Sequence, residues 1–203
     1  MRELSGKKVV IVAGPSASGK SYLIRQLMTK RKKNHFRDNI YHQLGINPQE
    51  PRSHISIGAL TKLESKSKPN HFRKLSKDLI FIHFDITSRH QSDKQLLLRS
   101  IATSCKSIKV VTLKTTFDVW HQRMQQRIDL NPTNNPSNSA DAIYKLSRLS
   151  RQLAKWRYKF AYKQWNKIIN DIQPNRKIVV KNEDIPLKLK NQNPESIQGV
   201  ITR

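Results

Sequence analysis

Apolar residues along the chain follow two patterns: short uninterrupted runs, and longer stretches with helical spacing. The runs are rich in β-branched residues and have the length of buried strands. Between them, apolar residues recur every three or four positions, as on one face of a helix. The runs that predict strands are 9–13, 79–85, 108–113 and 177–181, with a shorter candidate at 54–57.

Stretches with helical spacing separate these strands, and the clearest are 22–28, 91–104, 115–127 and 140–172. Strands that alternate with helices of this length form βαβ units and a parallel sheet. We therefore predict one α/β domain over residues 1–185, with a mainly parallel five-stranded sheet and helices on both faces. A polar tail at 186–203 follows it. A chain of 203 residues is long enough for one such core.

The first predicted strand runs directly into a segment with the phosphate-binding loop pattern Gly-x-x-x-x-Gly-Lys-Ser. Glycine allows close approach of a polyphosphate to the backbone, and successive N–H groups and the following helix attract the anion. The lysine of this pattern reaches the β- and γ-phosphates, and the serine hydroxyl ligates Mg²⁺. We therefore expect a nucleoside triphosphate to bind here, at Gly14, Pro15, Ser16, Ala17, Ser18, Gly19, Lys20 and Ser21.

A second chemical signal is the acid that ends the apolar run 79–85, Asp85. In a parallel sheet this position lies at the carboxyl edge, beside the loop that follows the first strand. We expect Asp85 to hold Mg²⁺ together with Ser21. His83 lies inside the same run, and we interpret it as a core or edge histidine.

Two arginines and two irregular segments complete the predicted site. Arg123 and Arg127 are four apart and share a helix face, from which they would stabilise transferring phosphoryl oxygens. The segment 128–139 has loop composition and suits a lid. The segment 34–77 is too long for a simple connection, and we expect it to bind the acceptor.

The order of these parts resembles the nucleoside monophosphate kinase group of P-loop phosphotransferases, and guanylate kinase most closely. The loop at 14–21, the acidic strand 81–85 and the last strand and turn at 179–185 carry the resemblance. It implies a three-layer P-loop NTPase sandwich that uses ATP and Mg²⁺, with Lys20 as a catalytic residue. It also implies lid arginines at Arg123, Arg127 and Arg148, and places Asn182 beside the base. The family's base-reading segment is not evident in 34–77, so the acceptor stays undefined.

The chain carries 39 Lys and Arg against 14 acidic residues, a formal charge of +25. Such an excess favours polyanionic partners and leaves nucleic acid open as one of them. Basic residues recur along 145–167, and the apolar residues there, among them Leu153, Trp156 and Phe160, recur with a period close to 3.6. Because no aromatic stacking platform is evident, we expect a small anionic acceptor and a solvated basic face.

The leading interpretation is a Mg·ATP-dependent phosphotransferase acting on a small acceptor, with a nucleotide among the candidates. A kinase or ATPase acting on a polynucleotide end or another polyanion is an alternative. A binding module that uses ATP or GTP as a switch is another, although no Asn-Lys-x-Asp guanine-reading motif occurs. The single cysteine, the early first strand and the lack of a long apolar run predict a cytoplasmic protein with no membrane span.

Overall fold

The computed structural model describes residues 4–29, 34–58, 60, 75–87, 91–130, 146 and 150–184. Within these ranges strands are interspersed with helices along the chain, as the apolar pattern predicts. The strands are β1 (Lys8–Gly14), β2 (Arg52–Ser56), β3 (Leu79–Asp85), β4 (Ser107–Lys114) and β5 (Arg176–Lys181). The helices are α1 (Lys20–Met28), α2 (His35–Leu44), α3 (Gln91–Ser104), α4 (Phe117–Leu130) and α5 (Arg151–Ile172), and a 3-10 turn at Asn182–Asp184 follows β5.

The described strands form one five-stranded sheet with the order β2-β3-β1-β4-β5, in which every neighbouring pair is parallel. The central strand is β1, whose run of apolar side chains is fully buried, as a parallel sheet covered on both faces requires. The chain leaves β1 toward one edge, builds β2 and β3 there, and crosses to the other side for β4 and β5. This reversal puts the carboxyl end of β1 where α/β proteins bind ligands. The predicted parallel α/β fold is confirmed.

Helices cover both faces of the sheet and create three layers. One face packs against α1 and α2, and the other against α3 and α5. Trp165 of α5 anchors the second packing. Its ring stacks on Phe84 with centroids 5.0 Å apart, and its Nε1 donates to Thr112 Oγ1 at 2.9 Å. Through Trp165, α5 therefore contacts β3 and β4, the two strands that flank β1.

The segment 34–77, predicted to bind the acceptor, contains part of this core. Helix α2 starts at an Asn34 cap whose side chain accepts from the Arg37 N–H, and it buries Ile40, Tyr41 and Leu44 against the sheet. Strand β2 forms the edge beside β3. Residue 59 and the stretch 61–74 lie outside the described residues. An acceptor role for the segment stays a prediction.

Helix α5 begins later than the periodicity predicts. Ser150 has extended backbone angles, and its side chain accepts from the Leu153 N–H, which makes it the cap of a helix that starts at Arg151. The predicted helix over 140–172 is therefore not continuous, because Ser150 has non-helical backbone angles and caps a helix that starts after it. Apart from Leu146, residues 140–149 lie outside the described residues.

The apolar positions of α5 are divided between two sides of the helix. The buried side consists of Ala154, Tyr158, Ala161, Trp165, Ile168, Ile169 and Ile172. Leu153, Trp156 and Phe160, which share the helical period with buried positions, are 43%, 58% and 43% exposed. Periodicity does not separate the two sides of the helix, because large apolar residues occupy both of them, whereas the small Ala154 and Ala161 sit at core positions.

Helix α4 continues to Leu130, so residues 128–130 of the predicted lid are helical. The remainder of the lid, 131–139, and the tail, 186–203, lie outside the described residues. None of the described helices has both the length and the apolar content of a membrane span.

His83 is a histidine whose pKa this packing changes strongly. It lies on β3 opposite Val12 of β1 and Ser56 of β2, and its ring centroid is 6.1 Å from that of His54. Burial lowers its pKa to about 4, the nearby charges of Lys20 and His54 act in the same direction, and Asp85 opposes them. The neutral ring expected of a core histidine is therefore the form that the fold favours at neutral pH.

This pKa predicts a loss of stability in acid. The folded pKa of about 4 lies below the ordinary 6.5, so the neutral ring contributes its full stability above pH 6.5. That contribution falls by about 3 kcal/mol as the pH drops through this window. His83→Gln should therefore reduce the dependence of the unfolding free energy on pH. Urea unfolding at neutral pH and at about pH 4.5 measures this dependence. Parallel slopes for wild type and His83→Gln would contradict the assignment.

Candidate functional site

The predicted phosphate loop is a tight turn between β1 and α1. Gly19 has φ +96° and caps α1, with its carbonyl accepting from the Leu23 N–H at 2.9 Å. Ala17 has φ +61°, which is unusual for a residue with a side chain, and the Ser18 N–H donates to the Pro15 carbonyl at 3.2 Å. These left-handed residues reverse the chain so that the first turn of α1, with its unpaired N–H groups, begins directly behind the loop.

Gly14 ends β1 at a point of very close backbone approach. A Cβ on this residue would lie 2.9 Å from the Leu113 carbonyl oxygen of β4 and 2.8 Å from Ser18 Oγ. The carbonyl belongs to backbone and cannot swing away, so any larger residue would push the loop off β4. The first glycine of the pattern is therefore required by packing as well as by access for a phosphate.

The Lys20 side chain lies beneath the loop and is 5% exposed. Its Nζ donates to the carbonyl oxygens of Gly14 and Pro15, at 2.8 and 2.5 Å. The ammonium charge of Lys20 therefore lies directly under the loop. Because both of these acceptors are neutral, a phosphate oxygen would be a stronger partner for the ammonium group.

Asp85 braces the other side of the loop, at the carboxyl end of β3. Its Oδ2 accepts from Ser16 Oγ at 2.6 Å, and its Oδ1 accepts from the Thr87 N–H and Oγ1 at 2.9 and 2.7 Å. Thr87 Oγ1 in turn accepts from the Ser16 N–H at 3.2 Å. The predicted proximity of Asp85 to the loop is therefore observed. Thr87 was missed by sequence reasoning, although Asp-x-Thr after a strand is a signal for a side chain that bonds the backbone two residues on.

Arg123 joins α4 to both the loop and the turn after β5. Its Nη1 donates to the Ala17 carbonyl at 3.3 Å. With the Asn182 amide oriented to suit its neighbours, the amide oxygen accepts from Nη1 and Nη2 at 2.7 and 2.9 Å. The same amide lies 3.3 Å from where a Cβ on Gly19 would sit. Arg123, Asn182 and the loop, which the sequence places far apart, therefore meet at one point.

Arg127 follows one turn later on the same face of α4 and is half-buried. Burial lowers the pKa of Arg123, and the charge of Arg127 lowers it further, so the two guanidinium groups are close. Together they concentrate positive charge beside the loop. Arg148, the third predicted lid arginine, lies outside the described residues, and its role stays a prediction.

An aromatic cluster supports the loop from the α4 and α5 side. Phe117, Trp120 and Tyr158 pack together, and Ala17 packs against them. Tyr158 donates its hydroxyl to the Thr115 carbonyl, and Tyr162 donates to the Leu113 carbonyl at 3.0 Å. The end of β4, against which Gly14 rests, is thereby fixed. Helical spacing places these tyrosines on one face but says nothing about which loop they reach.

The predicted magnesium ligands are suited to that metal. Ser21 is exposed in the first turn of α1, and Asp85 is partly exposed at the end of β3. Both offer oxygen atoms, which a hard cation prefers, and Mg²⁺ is commonly held by one or two such groups together with substrate phosphates. The residues present therefore fit the ion.

No protein-family model matches the chain, and no curated protein matches it in sequence. Among solved structures, an unliganded sugar kinase from Janibacter sp. aligns with a TM-score of 0.39 and 13% identity, covering 90% of each chain. A GTPase from Pyrococcus abyssi in its apo form aligns with a TM-score of 0.30 and 10% identity, covering 90% of this chain and 92% of its own. Likenesses this weak do not indicate what the chain does. The similarity to guanylate kinase rests on the sequence motifs alone.

Proposed function

We propose that the protein is a Mg·ATP-dependent phosphotransferase that moves the γ-phosphoryl group to a small anionic acceptor. The observation that carries the proposal is the loop Gly14–Ser21 at the switch point of the sheet, with Lys20 beneath it and Asp85 beside it. Three kinds of positive group converge there, namely the N–H groups of the first turn of α1, an ammonium ion and two guanidinium groups. A polyphosphate is the ligand that such a site would bind most strongly.

The loop supplies binding and orientation. Its N–H groups and the start of α1 would hold the phosphate chain, and Lys20 would exchange its neutral carbonyl acceptors for phosphate oxygens. Because Asp85 and Thr87 already fix Ser16, little of the loop has to be ordered when the nucleotide binds. Preorganisation of this kind raises affinity by reducing the entropy lost on binding.

Ser21 and Asp85 would hold Mg²⁺, which when bound neutralises charge on the phosphates. Asp85 has a second role through its bonds to Ser16 and Thr87, so it links the metal position to the loop conformation. The two roles predict different mutant behaviour, and this difference makes the assignment testable.

The arginines divide between two tasks. Arg123 is engaged by the Ala17 carbonyl and by Asn182, so it positions the loop against the turn after β5. Arg127, half-buried one turn further along α4 and close to Arg123, would stabilise charge during transfer. In the reaction an acceptor oxygen bonds to the γ-phosphorus while the bond from that phosphorus to the β–γ bridging oxygen breaks, and ADP leaves. An ionised phosphate acceptor attacks without giving up a proton, so positioning and charge suffice.

A second candidate function, transfer to a polynucleotide end, is favoured by one specific observation. The outer side of α5 carries exposed aromatic rings among basic residues, a combination typical of surfaces that bind single strands. The two candidates share the ATP site and differ only in the acceptor.

A transfer screen tests the proposal directly. The full chain, γ-labelled ATP and Mg²⁺ are incubated with nucleoside monophosphates, sugar phosphates and 5′-hydroxyl oligonucleotides in parallel. Label appearing on a small anion supports the first candidate, and label on an oligonucleotide supports the second. Nucleotide binding without transfer to any acceptor, with or without hydrolysis, would reject a phosphotransferase and favour a nucleotide-dependent switch.

Asp85→Asn should weaken the response to Mg²⁺ more than it weakens metal-free ATP binding. The change keeps the shape of the side chain but removes the charge, and loss of a metal-site partner typically costs about tenfold or more in metal affinity. Titration of Mg²⁺ at fixed ATP, followed by calorimetry or turnover, measures the shift. Thr87→Val is the matched control, because it removes the hydroxyl bonds to Ser16 and Asp85 without removing charge and keeps the backbone bond to Asp85. It should weaken binding with and without metal equally. Coincident magnesium titrations for Asp85→Asn and wild type would remove Asp85 from the metal site.

Arg127→Ala should lower kcat by about 10³-fold, the low end of the range for a charge-stabilising arginine. ATP affinity should change less, since the charge that Arg127 meets grows only during transfer. Arg99→Ala is the control, because it removes an exposed arginine of α3 that pairs with Asp171 and should leave both constants unchanged. Equal losses in kcat and in ATP affinity would instead mark Arg127 as an ordinary phosphate ligand.

A further inference from the structure

The side of α5 that faces away from the core carries an exposed apolar stripe formed by Leu153, Trp156 and Phe160. The Trp156 and Phe160 rings are stacked, with centroids 5.2 Å apart and an interplanar angle of 14°. They are 58% and 43% exposed. Large apolar side chains are more stable when they are removed from water, so a contiguous exposed aromatic pair of this kind indicates a binding surface.

Basic residues extend this stripe along α5 and also lie on either side of it. Helical spacing puts Lys163 and Lys167 in line with it, about 10 and 16 Å beyond Trp156 along the helix axis. Lys155, Arg157 and Lys159 lie to its sides and are exposed. The single acid of α5, Asp171, is paired with Arg99 of α3, so it does not neutralise the stripe. The surface therefore offers flat aromatic faces followed by a row of positive charge.

The charge decides between the partners that an apolar stripe can bind. A second copy of the chain, packed through the same stripe, would bring two rows of lysines together in a protein whose formal charge is already +25. A single-stranded nucleic acid instead offers bases that stack on aromatic rings and phosphates that attract lysines. The stacked rings suit base stacking, because each ring covers one face of the other and leaves its outer face for a base.

We propose that the outer side of α5 binds single-stranded nucleic acid, with bases stacking on Trp156 and Phe160 and the phosphate backbone following Lys159, Lys163 and Lys167. This inference does not depend on the ATP site. The two surfaces lie on opposite sides of α5, since Tyr158 and Tyr162 face the loop and the stripe faces away from it. Strand binding and phosphoryl transfer can therefore be tested and can fail separately.

The experiment measures binding of a fluorescein-labelled oligothymidylate of about fifteen nucleotides, a length within the range for single-strand sites, by anisotropy at several salt concentrations. The double variant Trp156→Ala, Phe160→Ala should lose about tenfold in affinity for each ring removed. Trp156→Tyr, Phe160→Tyr should retain most of the affinity, because stacking needs only a flat ring. Leu96→Ala on α3 is the matched control, since Leu96 is a 62% exposed apolar residue on a different helix. It should bind as wild type.

The charge half of the proposal has its own variants. Replacing Lys159, Lys163 and Lys167 with alanine should flatten the log–log salt slope by about two, at about 0.7 per phosphate contact. The control replaces Lys77, Lys106 and Lys177, exposed lysines at the amino edge of the sheet, and loses the same charge. It should leave the slope nearly unchanged. Circular dichroism checks that each variant is folded, which the exposure of all these side chains predicts.

Several results would overturn the proposal. These are failure of the wild-type protein to bind the oligonucleotide at low salt, binding that survives removal of both rings, and equal flattening by the two lysine variants. Sedimentation showing a dimer that the Trp156→Ala, Phe160→Ala variant dissociates would assign the stripe to self-association. Binding to anionic phospholipid vesicles but not to the oligonucleotide, lost in the same variant, would assign it to a membrane surface.

Discussion

The candidate site depends on the close contact between Gly14 and the backbone of β4. The Leu113 carbonyl, which a Cβ on Gly14 would approach to 2.9 Å, is itself held by the Tyr162 hydroxyl from α5. The loop therefore rests on a strand that a helix on the far face keeps in place. From this fixed point the chain turns through Ala17 and Gly19, and α1 begins where its N–H groups, Lys20 and Asp85 converge. These contacts form without any ligand, and a preformed arrangement of this kind favours electrostatic binding of a polyphosphate.

Much of the fold and of the phosphate loop is predictable from the sequence, because both depend on local patterns. The runs that form β1, β3 and β4 are apolar enough to be recognised singly, and the loop motif has fixed spacing. The bonds of Thr87 and the meeting of Arg123 with Asn182 are not predictable in this way. They join residues brought together only by the order of the strands, so no spacing along the chain encodes them.

Helix α5 shows a different limit of sequence reasoning. Periodicity identifies the helix, but it does not separate a core face from an exposed one when large apolar residues occur on both. Ala154 and Ala161 face the sheet where space is short, whereas Trp156 and Phe160 face solvent. The distinction matters for function, because the exposed side of α5 combines aromatic rings with lysines, and periodicity alone does not reveal that surface.

The central claim is that Lys20 and its loop bind the phosphates of a nucleoside triphosphate, and calorimetric titration of Mg·ATP into wild type and Lys20→Ala tests it most directly. Lys20 makes charge-assisted bonds, so its loss should weaken binding by about tenfold to a hundredfold. A thermal melt checks that the variant is folded, and Lys177→Ala, which removes an exposed lysine from β5, should bind as wild type. Tight binding to wild type and weak binding to folded Lys20→Ala is the predicted result. Equal affinities for the two proteins, or no binding to wild type, would contradict the account.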